Sequence, residues 1–190
     1  KLNSKITIKL NTIYISNEDY LTNFKADIIV NNNQIKDLVL SSQFSTKEDL
    51  KLSIKTNSNN ERITDLFAGN AKPLVKKYGF IKGFDGGYLK FDSIEKNKVS
   101  NSNLKIFDFK LKEVPALTKL LTLASLQGIA DLLTGEGIRF NEFEMIFNNK
   151  AGLMTIEEIY SLGPSISILM DGYIQKDDLV SLRGTLVPAT

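Results

Sequence analysis

Three pairs of neighbouring carboxylates are the side chains whose types and spacing could support catalysis in this sequence. The pairs are Glu142 with Glu144, Glu157 with Glu158, and Asp177 with Asp178. Two carboxylates on one strand face can act as a general acid and a general base. The chain has no histidine, and no residue near these pairs is suited to orient them. We therefore expect no catalytic residue, and we predict that the protein is not an enzyme.

Two other motifs fit simpler explanations. Gly86 and Gly87 could cradle a phosphate, but they do not form a Gly-x-Gly-x-x-Gly motif and no helix follows them. A backbone position with positive φ before a strand explains the pair. The chain also has no cysteine and no metal-ligand spacing. We expect no cofactor and no bound metal.

Charge excludes one class of partner and leaves another open. The chain has 24 basic and 22 acidic residues, a net charge of +2, which is too balanced for general nucleic-acid binding. Lys72, Lys76, Lys77 and Lys82 form a local basic patch. The patch is either a solvated helix face or a contact for anionic head groups or nucleic acid.

Alternating apolar residues predict short antiparallel strands in the first third of the chain. Ile6, Ile8 and Leu10 share one phase, but Ile13 and Ile15 share the other, which indicates a bulge near residues 11–12. Strands follow over residues 24–30, 38–44 and 50–54, with a turn at residues 31–33. Polar turns between successive strands are typical of a meander.

The middle of the chain predicts a short helix over residues 71–78, capped by Asn70, then a strand over 88–91. Residues 92–103 are polar without apolar periodicity, and we expect a loop there. A strand over 104–111 precedes a long helix over 115–134 that is apolar on most of its circumference, so it must be buried. The residues expected to close a groove from this helix are Leu117, Leu120, Leu121, Ala124 and Gly128.

Four apolar-alternating strands follow the long helix, with a bulge expected near residues 141–142 and a hairpin at 148–150. Their shared apolar face is the candidate lipid-lining surface. It comprises Phe143, Met145, Phe147, Met154, Ile156, Ile166, Ile168, Met170, Val180, Leu182 and Leu186. The alternative is an ordinary core covered by helix 115–134. A helix of that length is about 30 Å long and 10 Å wide. It cannot cover so many strands, which favours an open, curved sheet with an apolar lining.

Several segments resemble the C-terminal region of AsmA-like proteins, and in particular their long YhdP-like branch. The segments are Phe107-Asp-Phe-Lys-Leu, Val114-Pro-Ala-Leu, Leu132-Leu-Thr-Gly-Glu-Gly-Ile and Gly184-Thr-Leu-Val-Pro-Ala. The resemblance covers residues 104–190 and extends weakly to residue 70. It implies a periplasmic protein of a Gram-negative bacterium, anchored to the inner membrane, that holds lipid in a long β-groove. It also implies phospholipid transport and a part in outer-membrane homeostasis.

Together these observations predict a mainly β fold: a strongly bent, groove-like antiparallel sheet with one short and one long apolar helix. We expect one fragment of a longer protein, with a β-meander over residues 1–68, a short helix, strand and polar loop over 69–103, and the AsmA-like region over 104–190. The expected partners are a phospholipid or another acyl-chain lipid, neighbouring groove segments of the same full-length chain, and envelope proteins. The alternative function is a non-catalytic structural or interaction module that acts by pairing its strand edges.

Overall fold

A computed structural model of the protein describes residues 2–78, 83–112, 137–175 and 179–188. These residues form one open, curled, antiparallel sheet whose eleven strands follow one another in chain order. The strands are β1 (Ser4–Tyr14), β2 (Tyr20–Asn31), β3 (Gln34–Phe44), β4 (Asp49–Thr56), β5 (Arg62–Ala68), β6 (Phe84–Lys96), β7 (Val99–Leu111), β8 (Ile138–Lys150), β9 (Leu153–Leu162), β10 (Ile166–Ile174) and β11 (Val180–Pro188). One helix, α1 (Lys72–Tyr78), stands between β5 and β6.

The two ends of the strands have different connections. At one end, called here the hairpin end, three connections are two-residue turns in which both central residues have positive φ. These residues are Asn32 and Asn33, Asn97 and Lys98, and Ala151 and Gly152. Positive φ at both positions is the pattern of a type I′ turn, whose twist matches that of the flanking strands. The opposite end carries α1 and is called the α1 end.

The hydrophobic core lies at the α1 end, on the face of the sheet that we call the inner face. Its members on the central strands include Ala68, Leu89 and Ile138, and Val75 of α1 joins them. The Asn70 side chain caps α1 by accepting a hydrogen bond from the Lys72 amide at 3.2 Å. The predicted short helix and its cap are therefore confirmed.

Stacked aromatic rings tie three neighbouring strands together in this core. The ring centroids of Phe84 and Phe109 are 5.1 Å apart, and those of Phe109 and Phe140 are 5.2 Å apart. Both pairs lie in cross-strand contact at the α1 end of β6, β7 and β8. Such pairs add to the stabilisation that the buried area itself supplies.

The mainly β, antiparallel fold is confirmed, as are the strands predicted from alternation at both ends of the chain. The loop predicted over residues 92–103 is wrong. β6 and β7 run through it and leave only Asn97 and Lys98 as a turn. These polar residues form strands because β5 and β8 flank the hairpin and supply backbone hydrogen bonds on both sides. The sheet is therefore continuous across the two segment boundaries predicted from the sequence, at residues 68–69 and 103–104.

The expected irregularities occur at the predicted positions, as changes of phase without a change of register. The β1–β2 ladder skips the Asn11–Asn23 pair, and Asn23 has a positive φ of 53°. The β7–β8 ladder likewise skips the Asp108–Asn141 pair, so that Phe140 and Phe143 share the inner face. In addition, β9 carries an extra residue at 157–158 against both its neighbours. The predicted hairpin at 148–150 is displaced, because its turn is formed by Ala151 and Gly152.

The predicted helix over 115–134 lies outside the described residues, together with its groove-closing residues Leu117, Leu120, Leu121, Ala124 and Gly128. Lys82, Asp177 and Asp178 lie outside them as well. In the part of the chain that the structure describes, no helix has the length and apolar character needed to span a membrane.

Candidate functional site

All eleven candidate lining residues lie on the inner face. Residues paired directly across two antiparallel strands share a face, and the register connects the candidates of β8, β9, β10 and β11 in this way. Phe147 pairs with Ile156, and Ile168 pairs with Leu186. The bulge in β9 preserves this arrangement, since it returns Ile156 and Met154 to the face that Ile159 occupies.

One row of paired residues crosses the whole sheet and is apolar on ten successive strands. We call it the central row, and it consists of Ile8, Ala26, Leu40, Leu52, Leu66, Phe91, Leu104, Met145, Ile159 and Met170, with Gly184 at its end on β11. Apart from Ala26, which is buried, the side chains of its ten apolar members are half-buried. The row is therefore a continuous apolar track that is partly open to solvent, and four of its members pack against the core: Leu40, Leu66, Phe91 and Leu104.

A groove of about 510 Å³ crosses β3 to β6 at the level of the central row. Leu40, Leu52, Leu66 and Phe91 contribute to its lining. The other eight lining residues belong to the opposite, outer phase of the four strands: Val39, Ser41, Lys51, Ser53, Asp65, Phe67, Lys90 and Asp92. This groove therefore belongs mainly to the outer face, and the apolar lining of the inner face on these strands is the central row itself. Sequence reasoning placed the candidate lining only on the last four strands, and so missed the central-row residues of β3 to β6. Their alternating pattern was visible in the sequence, but the register that aligns them was not.

The eleven candidates differ in exposure. Ile166 and Ile156 are 0% and 3% exposed and are core residues in this structure. Val180, Leu182 and Leu186 on the edge strand β11 are 54%, 41% and 37% exposed. The other six are half-buried, as a lining open to a ligand would be. The best-supported lining is therefore the half-buried set together with the central row.

Polar residues replace apolar ones on the inner face toward the hairpin end of the central strands. Thr64, Ser93 and Ser102 form one cross-strand row, in which the two serine hydroxyls are 2.8 Å apart and buried. One step further along, Arg62 pairs with Glu95 in the register of β5 and β6. The sequence analysis missed these positions because it treated residues 92–103 as a loop.

The carboxylate pairs take structural positions. Glu144 accepts hydrogen bonds from Lys105 Nζ at 3.0 Å and from Asn103 Nδ2 at 2.9 Å. The Lys105 ammonium holds the pKa of the Glu144 carboxyl below its usual value. Glu157 lies at the β9 bulge and accepts a hydrogen bond from Asn148 Nδ2 at 3.1 Å. Ion pairing and sheet geometry account for these residues.

Two of the three patch lysines that the structure describes, Lys72 and Lys76, contact acidic side chains. Asp85 accepts hydrogen bonds from Lys112 Nζ at 2.7 Å and from Lys72 Nζ at 2.8 Å, and these two ammonium groups lower its pKa to about 2. Lys76 Nζ lies 3.5 Å from a carboxylate oxygen of Glu18. The patch is therefore partly neutralised by acidic neighbours at the α1 end.

Comparisons of the chain with family models, with curated proteins and with solved structures found no significant match.

Proposed function

We propose that this chain is a segment of a lipid-binding and lipid-conducting groove, in which the inner face holds the acyl chains of phospholipids. The central row carries the proposal, because an apolar track that is half-buried across ten strands of an open sheet suits a ligand that is itself long and apolar. A globular core would instead be densely packed and excluded from solvent.

The mechanism of such a groove is solvent substitution. Each methylene that leaves water for the lining contributes roughly 0.8 kcal/mol. Because the central row has no polar interruption from Ile8 to Met170, a chain displaced by one strand exchanges one apolar contact for another. Movement along the row then changes the free energy little. This role requires no cofactor and no reacting side chain.

The resemblance to AsmA-like proteins supplies the proposed setting. It supports a periplasmic groove in the cell envelope of a Gram-negative bacterium, anchored to the inner membrane in the full-length protein and acting in phospholipid transport and outer-membrane homeostasis. The helix predicted from the sequence over residues 115–134 would close part of the groove, and neighbouring segments of the same chain would continue it.

A second candidate is a structural module that pairs its strand edges with a partner. Within the described residues, β1 and β11 each have a neighbouring strand on one side only. Both edges also expose large apolar side chains, among them Tyr14 on β1 and Val187 on β11. The same edges would equally well pair with further strands of a longer groove. A measurement of lipid binding is therefore needed to distinguish the two functions.

Lysine substitutions on the two faces test the lipid groove. Met170→Lys and Leu182→Lys place a charge on the inner face, whereas Ser167→Lys and Ser181→Lys place it on the outer face of the same two strands. In an open groove the lysine reaches solvent, so we expect all four variants to fold. Lipid that co-purifies with the protein, measured by extraction and mass spectrometry, should fall only for the two inner-face variants.

Ile138→Lys provides the reference for a closed core. Ile138 is fully buried, and an unpaired charge there should unfold the protein. If Met170→Lys unfolds the protein as Ile138→Lys does, the middle of the sheet is a closed core and the lipid groove is rejected. If all variants fold and none carries lipid, while the protein still associates through its edges, the structural module is the better function.

A further inference from the structure

We propose that Arg62 and Glu95 bind the head group of a phospholipid whose head carries both a phosphate and a primary ammonium. This inference rests on the proposed lipid groove and adds to it the orientation and class of the lipid. The acyl chain would lie toward the α1 end and the head at the hairpin end.

The two residues lie side by side at the right place on the inner face. Arg62 and Glu95 are direct partners in the register of β5 and β6, and β5 alternates without a bulge from Arg62 to Leu66 and Ala68. A strand rises about 3.3 Å per residue, so Arg62 is about 13 Å along the strand from Leu66 of the central row. A head group at Arg62 thus leaves its chain free to reach the central row.

The charges of Arg62 and Glu95 are uncommitted. Within the described residues neither makes an ion pair or a side-chain hydrogen bond, even though their neighbours do. Glu61, next to Arg62, accepts hydrogen bonds from Lys96 at 3.0 Å and from Asn57 at 2.9 Å. Glu61 and Lys96 are therefore paired with each other, and neither of them engages Arg62 or Glu95.

The surface between the head site and the central row suits an acyl chain despite its hydroxyls. Ser93 and Ser102 are buried and bond to each other at 2.8 Å. A chain that covers them leaves no new polar group unsatisfied, which would otherwise be costly. Phe147, the cross-strand partner of Ser102, and Phe91 of the central row supply apolar contact on the same face, with ring centroids 6.5 Å apart.

The chemistry of the pair selects a zwitterionic head. A guanidinium presents a planar set of donors that matches a phosphate. A carboxylate accepts hydrogen bonds from a primary ammonium, which has three donors. A head with only a phosphate would satisfy Arg62 but would place negative charge near Glu95. A phosphoethanolamine head satisfies both residues.

Three single-chain probes with the same acyl chain test this site: lysophosphatidylethanolamine, lysophosphatidylglycerol and an uncharged monoacylglycerol. We expect the protein to bind the ethanolamine lipid about tenfold more tightly than the glycerol lipid, one charge-assisted contact being of that order. Arg62→Gln should weaken both phosphate lipids relative to monoacylglycerol. Glu95→Gln should abolish the preference for the ethanolamine head.

Matched controls carry the same charge changes on the outer face. Lys55→Gln on β4 and Glu158→Gln on β9 should leave all three affinities unchanged, because both side chains are exposed on the opposite face. If Arg62→Gln and Glu95→Gln behave like these controls while the protein binds all three probes, the head-group site is wrong and the lipid groove stands. If the protein binds none of the probes, the groove fails and the head-group site fails with it.

Discussion

The two ends of the inner face have similar strands but different surroundings. At the α1 end, Ala68 and Ile138 are fully buried, and α1 and stacked aromatic rings pack over the sheet. Toward the hairpin end, apolar side chains on the same face of the central strands are only half-buried, as Ile54 and Phe147 show. Backbone pairing continues through both ends, although the ladders skip single pairs at the α1 end, Asn11 with Asn23 and Asp108 with Asn141.

This difference separates the source of stability from the surface available for a ligand. At the α1 end, tertiary packing fixes the side chains, and a substitution there changes the core. Toward the hairpin end, the strands are held by their neighbours on both sides, while the side chains on the inner face remain partly exposed to solvent. A groove of this kind can bind and release an apolar ligand because its walls do not depend on the ligand for their backbone structure.

Removal of an aromatic ring at each end of β8 should reveal the largest contrast. Phe140 is buried against Phe109, whereas Phe147 is half-buried on the same face nearer the hairpin end. Phe140→Ala should lower the free energy of unfolding by about 3–5 kcal/mol. Phe147→Ala should cost about 1 kcal/mol, since much less area is lost from a packed environment. Urea unfolding of both variants measures the difference.

Equal losses in the two variants would show that the hairpin end is as closely packed as the α1 end, and would remove the distinction. Lipid binding sharpens the comparison in the other direction. Phe147→Ala should weaken binding of a fluorescent fatty acid at temperatures where the variant is fully folded. Leu169→Ala, an exposed apolar truncation on the outer face of β10, serves as the control and should leave binding unchanged.

The sequence predicted the strands and the apolar face of the last four of them, because alternation with period two depends on each strand alone. It did not predict the central row. Alignment of Leu40 with Leu66 and Leu104 depends on the register that successive turns and pairings impose. The type I′ turn at Asn97 and Lys98 is one such determinant, and its second residue is not a typical turn residue of that type.

The strands through residues 92–103 were missed for a related reason. This segment contains few apolar residues. Ser93 and Ser102 are nevertheless buried in the sheet, because they hydrogen-bond to each other and strands flank them on both sides. Local patterns cannot show that a polar segment has partners on both sides. The candidate head-group residues Arg62 and Glu95 became visible only when those partners were known.

A smaller effect should distinguish the α1 end by its pH dependence. The pKa of Asp85 is lowered from 3.8 to about 2 by hydrogen bonds from Lys112 and Lys72. Because the folded pKa lies below the unfolded one, this stabilisation is present above about pH 4 and is lost as the pH falls toward 2. Asp85→Asn should cost about 1 kcal/mol or less at pH 6, since all three groups are partly exposed to solvent.

The same variant should match the unmodified protein near pH 2, where Asp85 is increasingly protonated in both states. Parallel thermal melts from pH 2 to 7 measure the convergence of the two stabilities. Asp171→Asn, which removes the partner of the exposed Arg183 side chain on β11, is the comparison at the edge of the sheet. A constant difference between Asp85→Asn and the unmodified protein at every pH would contradict the ion-pair explanation.

The smallest effect concerns the turn between β8 and β9 at the hairpin end. Ala151 has φ of 52°, a conformation that costs an alanine about 1 kcal/mol, whereas asparagine adopts it readily. Ala151→Asn creates the Asn-Gly pair preferred in type I′ turns, as Asn32 and Asn97 begin the other two. We expect a gain of about 0.5–1 kcal/mol, and Asn97→Ala should have the opposite sign. If the hairpin end opens locally, the gain will appear in amide exchange of residues near the turn, such as Lys150 and Leu153, and not in global unfolding. A gain of equal size in global unfolding would instead show that both ends of the sheet unfold as one unit.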